Sequence, residues 1–356
     1  MNRIIVDVLN KIEDKGYIAY VVGGYVRDYL LSKHSYDIDI CTNAKTGTLE
    51  KIFNIKSDNK YGSIKFKLDK YSFEITTFRK EIKYENGKLL EIEYTDNFKE
   101  DIKRRDFTIN SIALDKNDIV IDLLEGVKDL NNKVIKLIGD ESKLMEDPLR
   151  IIRAIRFSTI LDFDLDEKLE KYIVKCKKYL SNVSIVKLRE ELEKILESTN
   201  YKKGLCLLKK YSLIDELGIK YNNVVYVDNI YGMWAQIDIK TYSSFNKKEI
   251  EIINAIKKII RKNEITNETL FDYSIDLNII AAKILKIDEQ IVKKMYNNLV
   301  VKSTDDLDIS ILEINSVIKN FNKSKIVRYK LIRMVNNSIL NNVKKDLLKH
   351  VEEESE

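Results

Sequence analysis

Asp37 and Asp39 stand two apart in a short apolar run, Tyr36-Asp37-Ile38-Asp39-Ile40. In an extended strand, that spacing puts both carboxylates on one face and Ile38 and Ile40 on the other. Two carboxylates held together repel, and burial sharpens the repulsion unless a cation sits between them. Mg²⁺ meets that need and also bridges nucleotide phosphates. A solvent-facing edge strand has the same spelling, so the pair alone leaves both readings open. Upstream, Val21-Val22-Gly23-Gly24-Tyr25-Val26-Arg27-Asp28 runs an apolar strand through a Gly-Gly turn into a helix. Glycines there let a phosphate approach backbone N–H groups, and Arg27 suits a phosphate or a neighbouring carboxylate. An ordinary strand–turn–helix junction would look alike.

Three further segments carry groups for the same chemistry. Glu74, in Phe73-Glu74-Ile75-Thr76, supplies a third carboxylate if its strand lies beside the Asp37 strand. Lys103-Arg104-Arg105-Asp106-Phe107-Thr108-Ile109-Asn110 places a basic cluster, an acid and a neutral amide within about two helical turns. In Glu146-Asp147-Pro148-Leu149-Arg150-Ile151-Ile152-Arg153, the proline sits near a helix start, where its missing N–H costs nothing. Asp147, Arg150 and Arg153 are three apart and share a face, while Ile151, Ile152 and Ile155 pack elsewhere. An acidic helix start with exposed arginines would read the same way.

The elements that position these groups follow from periodicity. Ile4, Ile5, Val8, Leu9 and Ile12 predict a helix over 4–15, stopped by Gly16. Strands are expected at 20–22, 37–40, 63–68, 71–76, 89–94, 111–114 and 120–121, with a helix starting over 26–31. Asn86-Gly87 signals a hairpin turn because it tolerates positive φ. Residues 1–140 therefore read as a mixed α/β domain on a small antiparallel or mixed sheet. After about residue 140 the period becomes helical: from 149, then 166–180, 184–197, 203–210, 247–261, 269–286, 287–299, 308–320, 324–335 and a charged tail over 340–356. The stretch 221–231 is ambiguous, and Trp234 is expected to pack in a helical core.

The 356 residues are 44% hydrophobic, enough for a real core, with one proline and eleven glycines. A net charge of +5, from 62 basic and 57 acidic residues, is mild for a nucleic-acid binder. Cys41, Cys176 and Cys206 are far apart and offer neither a disulfide framework nor a CxxC metal site. A reducing, cytoplasmic setting is the expectation, with no membrane span.

Gly23-Gly24-Tyr25-Val26-Arg27-Asp28, Asp37-Ile38-Asp39, Arg104-Arg105-Asp106-Phe107-Thr108-Ile109-Asn110 and Glu146-Asp147-Pro148-Leu149-Arg150 closely resemble the class II tRNA nucleotidyltransferase and bacterial poly(A) polymerase family. The motifs occur in the family's order over roughly residues 17–197. The resemblance implies an α+β protein: a mixed-sheet nucleotidyltransferase head over 1–140, followed by an elongated all-helical region. That region divides into a neck with the base-recognition helix over 141–200 and a tRNA-binding body and tail over 201–356. It implies Asp37 and Asp39 as catalytic metal ligands, with Glu74 assisting. Gly23, Gly24 and Arg27 would secure phosphates, and Arg105, Asp106 and Asn110 would position nucleotide and sugar. Asp147 and Arg150 would read the base, with Arg153 and Arg156 near it. The implied activity is addition of CCA to the 3′ end of tRNA from CTP and ATP with Mg²⁺. CC-only addition, A-only addition, poly(A) tailing and a catalytically dead RNA-binding relative are the alternatives.

Two segments depart from the family pattern. Tyr84-Glu85-Asn86-Gly87-Lys88-Leu89-Leu90-Glu91 lacks the arginine and proline of the loop that the family links to the switch from C to A addition. Val186-Lys187 stands where Glu-Arg is usual, although Glu191 is kept, so support of the neck helix must be arranged differently. Two basic runs, 256–262 and 323–330, are candidate contacts for tRNA, and each also reads as a solvated helix face.

Overall fold

The computed structural model describes residues 1–57, 62–85, 87–239 and 244–355. These fall into two units, Met1–Gly218 and Ile219–Glu356.

In the first unit, α1 (Arg3–Glu13) buries Ile5, Val8, Leu9 and Ile12, and Gly16 turns the chain away at φ +84°. β1 (Ala19–Val22), β2 (Asp37–Thr42), β3 (Ser63–Leu68) and β4 (Tyr71–Thr77) form most of a mixed sheet. Arg79–Glu85 (β5) and Lys88–Tyr94 (β6) form a separate antiparallel hairpin. The turn expected at Asn86-Gly87 lies in part outside the described residues, since Asn86 is not among them; Gly87 has φ +71°. β7 (Ala113–Leu114) and β8 (Val120–Ile121) complete a sheet of order β3-β4-β2-β1-β7-β8 among the described residues. Its pairings are antiparallel except β2 with β4, which is parallel and sets Asp39 opposite Glu74. The strand expected from residue 111 begins only at Ala113, because Thr108–Asn110 form a 3₁₀ turn.

Helices α2 (Gly24–Leu30), α3 (Thr46–Phe53), α4 (Phe98–Lys103) and α5 (Gly126–Asn131) flank these strands in sequence. The last three are too short to show a sequence period: α3 fully buries only Leu49. α6 (Ser142–Glu146) and α7 (Leu149–Leu161) are separated by Pro148. A proline disfavours the helical region for the residue before it, and Asp147 accordingly sits at φ −130°, ψ 85°. Then come α8 (Glu167–Cys176), α9 (Ile185–Leu196) and α10 (Tyr201–Lys210). The helical region is interrupted by small pairings: Val134–Ile135 with Asp164–Leu165, and Ile219–Lys220 with Asp238–Ile239 in the second unit.

Helices of the second unit largely follow the expected periods. The span 269–286 is two helices, Asn267–Asp272 and Ile275–Leu285, because Tyr273 is extended and Ser274 caps the second. Val301, Leu307, Ile314, Val327, Leu331 and Leu347 share one core. Trp234 is buried edge-on to Phe245, as expected of a core residue, and 221–229 carry no helix or strand. Much of both basic runs is engaged internally: Lys257 donates to the Ile237 carbonyl and to Asp238, and Arg328 to the Thr304 carbonyl. Lys258, Arg261 and Lys325 remain exposed. Among the described residues, no helix is long and apolar enough to cross a membrane.

Gly126 is where α5 meets the 3₁₀ turn. A Cβ there would lie 2.2 Å from the Thr108 carbonyl oxygen and 2.8 Å from Ile112 Cγ1. Gly126→Ala should therefore destabilise the protein by about 2 kcal/mol through overpacking. Urea unfolding measures it, and a loss under ~0.5 kcal/mol, the size of an ordinary surface substitution, would show that the backbone shifts freely.

Candidate active site

Alternation along β2 buries Ile38 and Ile40 and leaves Asp37 and Asp39 on the other face. β1 delivers the Gly-Gly turn to the same place, since Val22 pairs with Asp39. Gly23 has φ +74°, and a Cβ on it would stand 3.0 Å from Asp39 Oδ2. Both the backbone angle and the close approach thus require glycine. Asp39 keeps part of its surface exposed, but the protein packed around its carboxyl displaces enough water to raise it above the usual range. Removal from water is the main cause; Arg105 opposes it, while Glu74 and Asp37 add like-charge repulsion.

Glu74 is turned toward Asp39 by the parallel register, but its carboxylate is already held by Ser63 Oγ at 3.0 Å and Lys65 at 2.8 Å. Among the described residues, no three His, Cys, Asp or Glu side chains converge on one cation position. Asp37 and Asp39 do fit a hard divalent ion of the Mg²⁺ type, which is bound by one or two carboxylates and completed by waters and substrate phosphates. Their mutual repulsion is what such an ion relieves.

Beside Asp39 opens a cavity of about 440 Å³. Gly23, Gly24 and Arg27 line it from the Gly-Gly turn, and Arg105, Asp106 and Asn110 from the segment after α4. Asp147, Arg150, Arg153 and Arg156 line it from the start of α7. Every nucleotide-contacting residue expected from the sequence is thus at one cavity. Asp37 and Glu74 are not in its wall. A second cavity of about 260 Å³ adjoins, sharing Asp39, Arg104 and Arg105 with the first and lined by Glu74, Ser63 and Arg79.

The arginines are fixed by buried acids. Asp101, fully buried in α4, accepts from Arg104 Nε at 2.8 Å and Arg105 Nη2 at 3.3 Å. Burial opposes its ionisation, but Arg104 and Arg105 outweigh that and hold the carboxyl below the usual range. Asp106 is held lower still: burial again opposes, and the paired Arg153 and the Asn110 amide prevail. Arg153 reaches Asp106 Oδ2 through Nε at 2.9 Å and Nη2 at 2.5 Å. Asn110 Nδ2 donates to Asp106 at 3.0 Å, and Arg27 Nη1 donates to Asn110 Oδ1 at 2.9 Å. Arg27 also grips Asp28 at 2.9 Å and 2.8 Å, so it pairs with a neighbouring carboxylate.

Arg150 lies 3.6 Å from Asp147, donates to the Arg104 carbonyl at 2.8 Å and faces Glu81 at 3.9 Å. Its Nη1 is buried with no hydrogen-bond partner among the described residues. Asp147 is pushed above the ordinary range by burial, with Arg150 and Arg153 opposing.

Glu81, Tyr84 and Phe157 line the larger cavity and lay outside the sequence expectations, as did Asp101 behind it. Glu81 ion-pairs with Arg79 at 3.4 Å and Arg104 at 3.8 Å as well as Arg150, and accepts from the Tyr84 hydroxyl. Glu81 and Tyr84 are three apart, so a regular strand would point them to opposite faces. The register of β5 shifts between Glu81 and Tyr84, and that bulge brings both inward. Phe157 lines the cavity although its position reads as core. Glu191 is buried in α9, 2.7 Å from Arg156 Nε at an angle too poor for a directed hydrogen bond and 3.8 Å from Arg153. It supplies a carboxylate to the arginines of α7, and Val186 is half exposed.

A poly(A) polymerase head domain model matches residues 19–136, and a model described as the probable RNA and SrmB-binding site of polymerase A matches residues 162–218. The chain is 31% identical to the CCA-adding enzyme of Limosilactobacillus reuteri, over 97% of this chain and 95% of that protein. It is 41% identical to the CCA-adding enzyme of Lactobacillus helveticus over 53% of this chain; that match spans about half (48%) of the relative's length. In fold, it resembles the Bacillus stearothermophilus CCA-adding enzyme in complex with CTP, with a TM-score of 0.81 at 23% identity over 98% of this chain and 96% of that one. The Thermotoga maritima CCA-adding enzyme complexed with tRNA gives 0.70 at 22% identity over 100% and 97%.

The Asp106–Arg153 pair carries a pH prediction. A carboxylate whose folded pKa is depressed adds stability above its unfolded pKa, about 4, which is lost as pH falls through the folded value. Asp106→Asn should cost about 2 kcal/mol at pH 7, less than a fully buried pair because a third of the Arg153 side chain stays accessible. Unfolding curves should show the gap between variant and parent closing below pH 4. A gap independent of pH would mean the charge of Asp106 is not what stabilises.

Proposed function

This chain belongs to the class II tRNA nucleotidyltransferase family, and from that premise we propose that it adds CCA to the 3′ end of tRNA from CTP and ATP, without a template. The observation that carries the reading is the meeting of two unlike groups at one cavity. Asp39 stands at one side of it, and the Asp147–Arg150 pair at another.

In this mechanism, the nucleoside triphosphate lies in the larger cavity, its phosphates against Gly23, Gly24, Arg27 and Arg105. Asp147 accepts from the exocyclic amine that cytosine and adenine share, and Arg150 donates to a ring nitrogen or carbonyl oxygen. Uracil presents a carbonyl in place of that amine and is refused. The RNA 3′ oxygen bonds to the α-phosphorus, the bridge to the β-phosphate breaks, and pyrophosphate leaves. Mg²⁺ held by Asp37 and Asp39 would lower the pKa of the attacking hydroxyl and neutralise charge on the triphosphate. Glu74, already braced by Lys65 and Ser63, lines the adjoining cavity on the side away from the base-reading pair.

Residues 1–140 serve in this reading as the catalytic head, and 141–200 as the neck that presents the base-reading pair. Residues 201–356 are the body and tail that hold tRNA by shape and phosphate contacts. Glu81 gives the β5–β6 hairpin a direct hold on Arg150. A shift of the hairpin therefore re-aims Arg150 between C and A addition, without the arginine that the family places in this loop.

Replacing Asp37 or Asp39 by alanine should abolish nucleotide transfer and leave tRNA binding within about twofold; near-normal turnover of either variant at saturating Mg²⁺ would end their assignment. Completion of CCA is tested with purified protein, CTP and ATP on tRNA ending just before CCA and on tRNA ending in CC. The expectation is three nucleotides on the first and one adenosine on the second. Two on the first and none on the second would mark a CC-adding enzyme, and addition to the second alone an A-adding one. Long adenosine tracts on unrelated RNA would mark a poly(A) polymerase.

A further inference from the structure

Phe157 stands seven residues beyond Arg150 on α7, is 7% exposed and borders the larger cavity. It meets Phe107 in a T-shaped contact, with ring centroids 5.7 Å apart at 81°. Three guanidinium groups gather around its ring: Arg156 at 4.0 Å, Arg27 at 5.1 Å and Arg153 at 5.4 Å from the centroid. Two come from α7 itself and the third from α2, directly after the Gly-Gly turn.

Three cations this close repel one another. The crowding is visible at Arg156, which is brought down to about 10 by burial first and then by Arg153 and Arg27, against the pull of Glu191 and Asp106. Acids could hold such a group together, and Asp28, Asp106 and Glu191 do so in part. A further carboxylate would occupy the N–H edges and neutralise the charge. An aromatic face attracts cations through its quadrupole and accepts none of their in-plane N–H groups. It therefore gathers arginines without consuming N–H groups beyond those already given to Asp28, Asn110 and Asp106. Arg156 Nε faces Glu191 at 2.7 Å without a directed hydrogen bond among the described residues, so that acid holds it by charge alone.

We propose that Phe157 is a positioning residue whose ring face assembles Arg27, Arg153 and Arg156 into a binding site for the β- and γ-phosphates of the incoming nucleotide. The inference rests on the reading of this cavity as a nucleoside triphosphate site. It separates Phe157 from the base-reading pair: loss of the ring face weakens the hold on the phosphate tail and leaves recognition of the base intact.

Phenylalanine analogues test it in the full chain, because stepwise fluorination empties the ring face of negative charge with little change of shape. Dissociation constants for CTP and for CMP are measured in Mg²⁺ buffer across the unfluorinated, monofluoro, trifluoro and pentafluoro proteins, with thermal unfolding alongside. CTP binding should weaken progressively to about tenfold, equivalent to about 1.4 kcal/mol, while CMP binding changes less than twofold. Phe157→Leu should fall in the same direction, and Phe157→Tyr should restore most of the affinity lost in it. CTP affinity that does not vary with fluorination overturns the proposal, as does equal loss of CTP and CMP tracking a fall in unfolding temperature. If the parent binds CTP no more tightly than CMP, the triphosphate reading itself fails and takes the proposal with it.

Discussion

The ion pair of Asp106 with Arg153 is the joint on which the site is hung. Asp106 follows α4, and Arg153 lies one turn into α7. From that joint a closed circuit runs outward. Asp106 holds Asn110, Asn110 holds Arg27, and Arg27 meets Phe157, which also carries Arg156. Arg156 faces Glu191, and Glu191 returns to Arg153. Its members come from α2, the segment from Asp106 into the 3₁₀ turn, α7 and α9. Its ion-paired links are costly to break in low dielectric, because loosening Asp106 from Arg153 leaves a buried charge unpaired. That resistance fixes where β1 and β2 present Gly23 and Asp39 relative to Arg150.

The charge balance of the larger cavity follows from the same constraint. Six arginines line it, with Asp39, Glu81, Asp106 and Asp147 as its acids. Each acid except Asp39 is committed to at least one of the arginines, and Asp101 and Glu191 behind the wall hold more of them. Asp39 stands where Arg105 is close and the other carboxylates are Asp37 and Glu74. The cavity thus divides into a cationic region suited to a polyphosphate and an anionic edge suited to a divalent ion. Transfer between nucleotides needs both within the length of one triphosphate, and the Gly23 backbone is where they touch.

Much of this was legible in the sequence because the groups sit in regular elements or at their ends. Period two in β2 set the face of Asp37 and Asp39, and the strand of Glu74 was readable, though its place beside them came only from the parallel pairing. The spacing of Asp147, Arg150 and Arg153 located the start of α7, where Pro148 separates it from α6. What escaped was what depends on irregularity or on distant pairing. Glu81 and Tyr84 face the same way only through a bulge, and no period announces a bulge. Phe157 has the spacing of a core residue, and its second role appears only when Arg27 arrives from another helix. Glu74 was readable as a carboxylate beside Asp39, but the Lys65 and Ser63 that occupy it come from across β3.

Arg150 is held more loosely than the rest of the site. Its guanidinium is tied on three sides, to Asp147 before α7, to the Arg104 carbonyl after α4 and to Glu81 on the hairpin. The contact with Arg104 is a directed hydrogen bond at 2.8 Å, whereas Asp147 and Glu81 hold it at 3.6 Å and 3.9 Å, beyond hydrogen-bond length. The looser ties are the ones an element can change without breaking a buried bond. Of those two, Asp147 stands just before the α7 helix that carries Arg150, so Glu81 is the tie that comes from a separate element. Glu81 sits at a bulge in a two-stranded hairpin outside the main sheet, an arrangement with few backbone neighbours to resist displacement. The Asp106–Arg153 joint is thus closed by hydrogen bonds and a short ion pair, whereas the hairpin meets Arg150 only through the longer Glu81 contact.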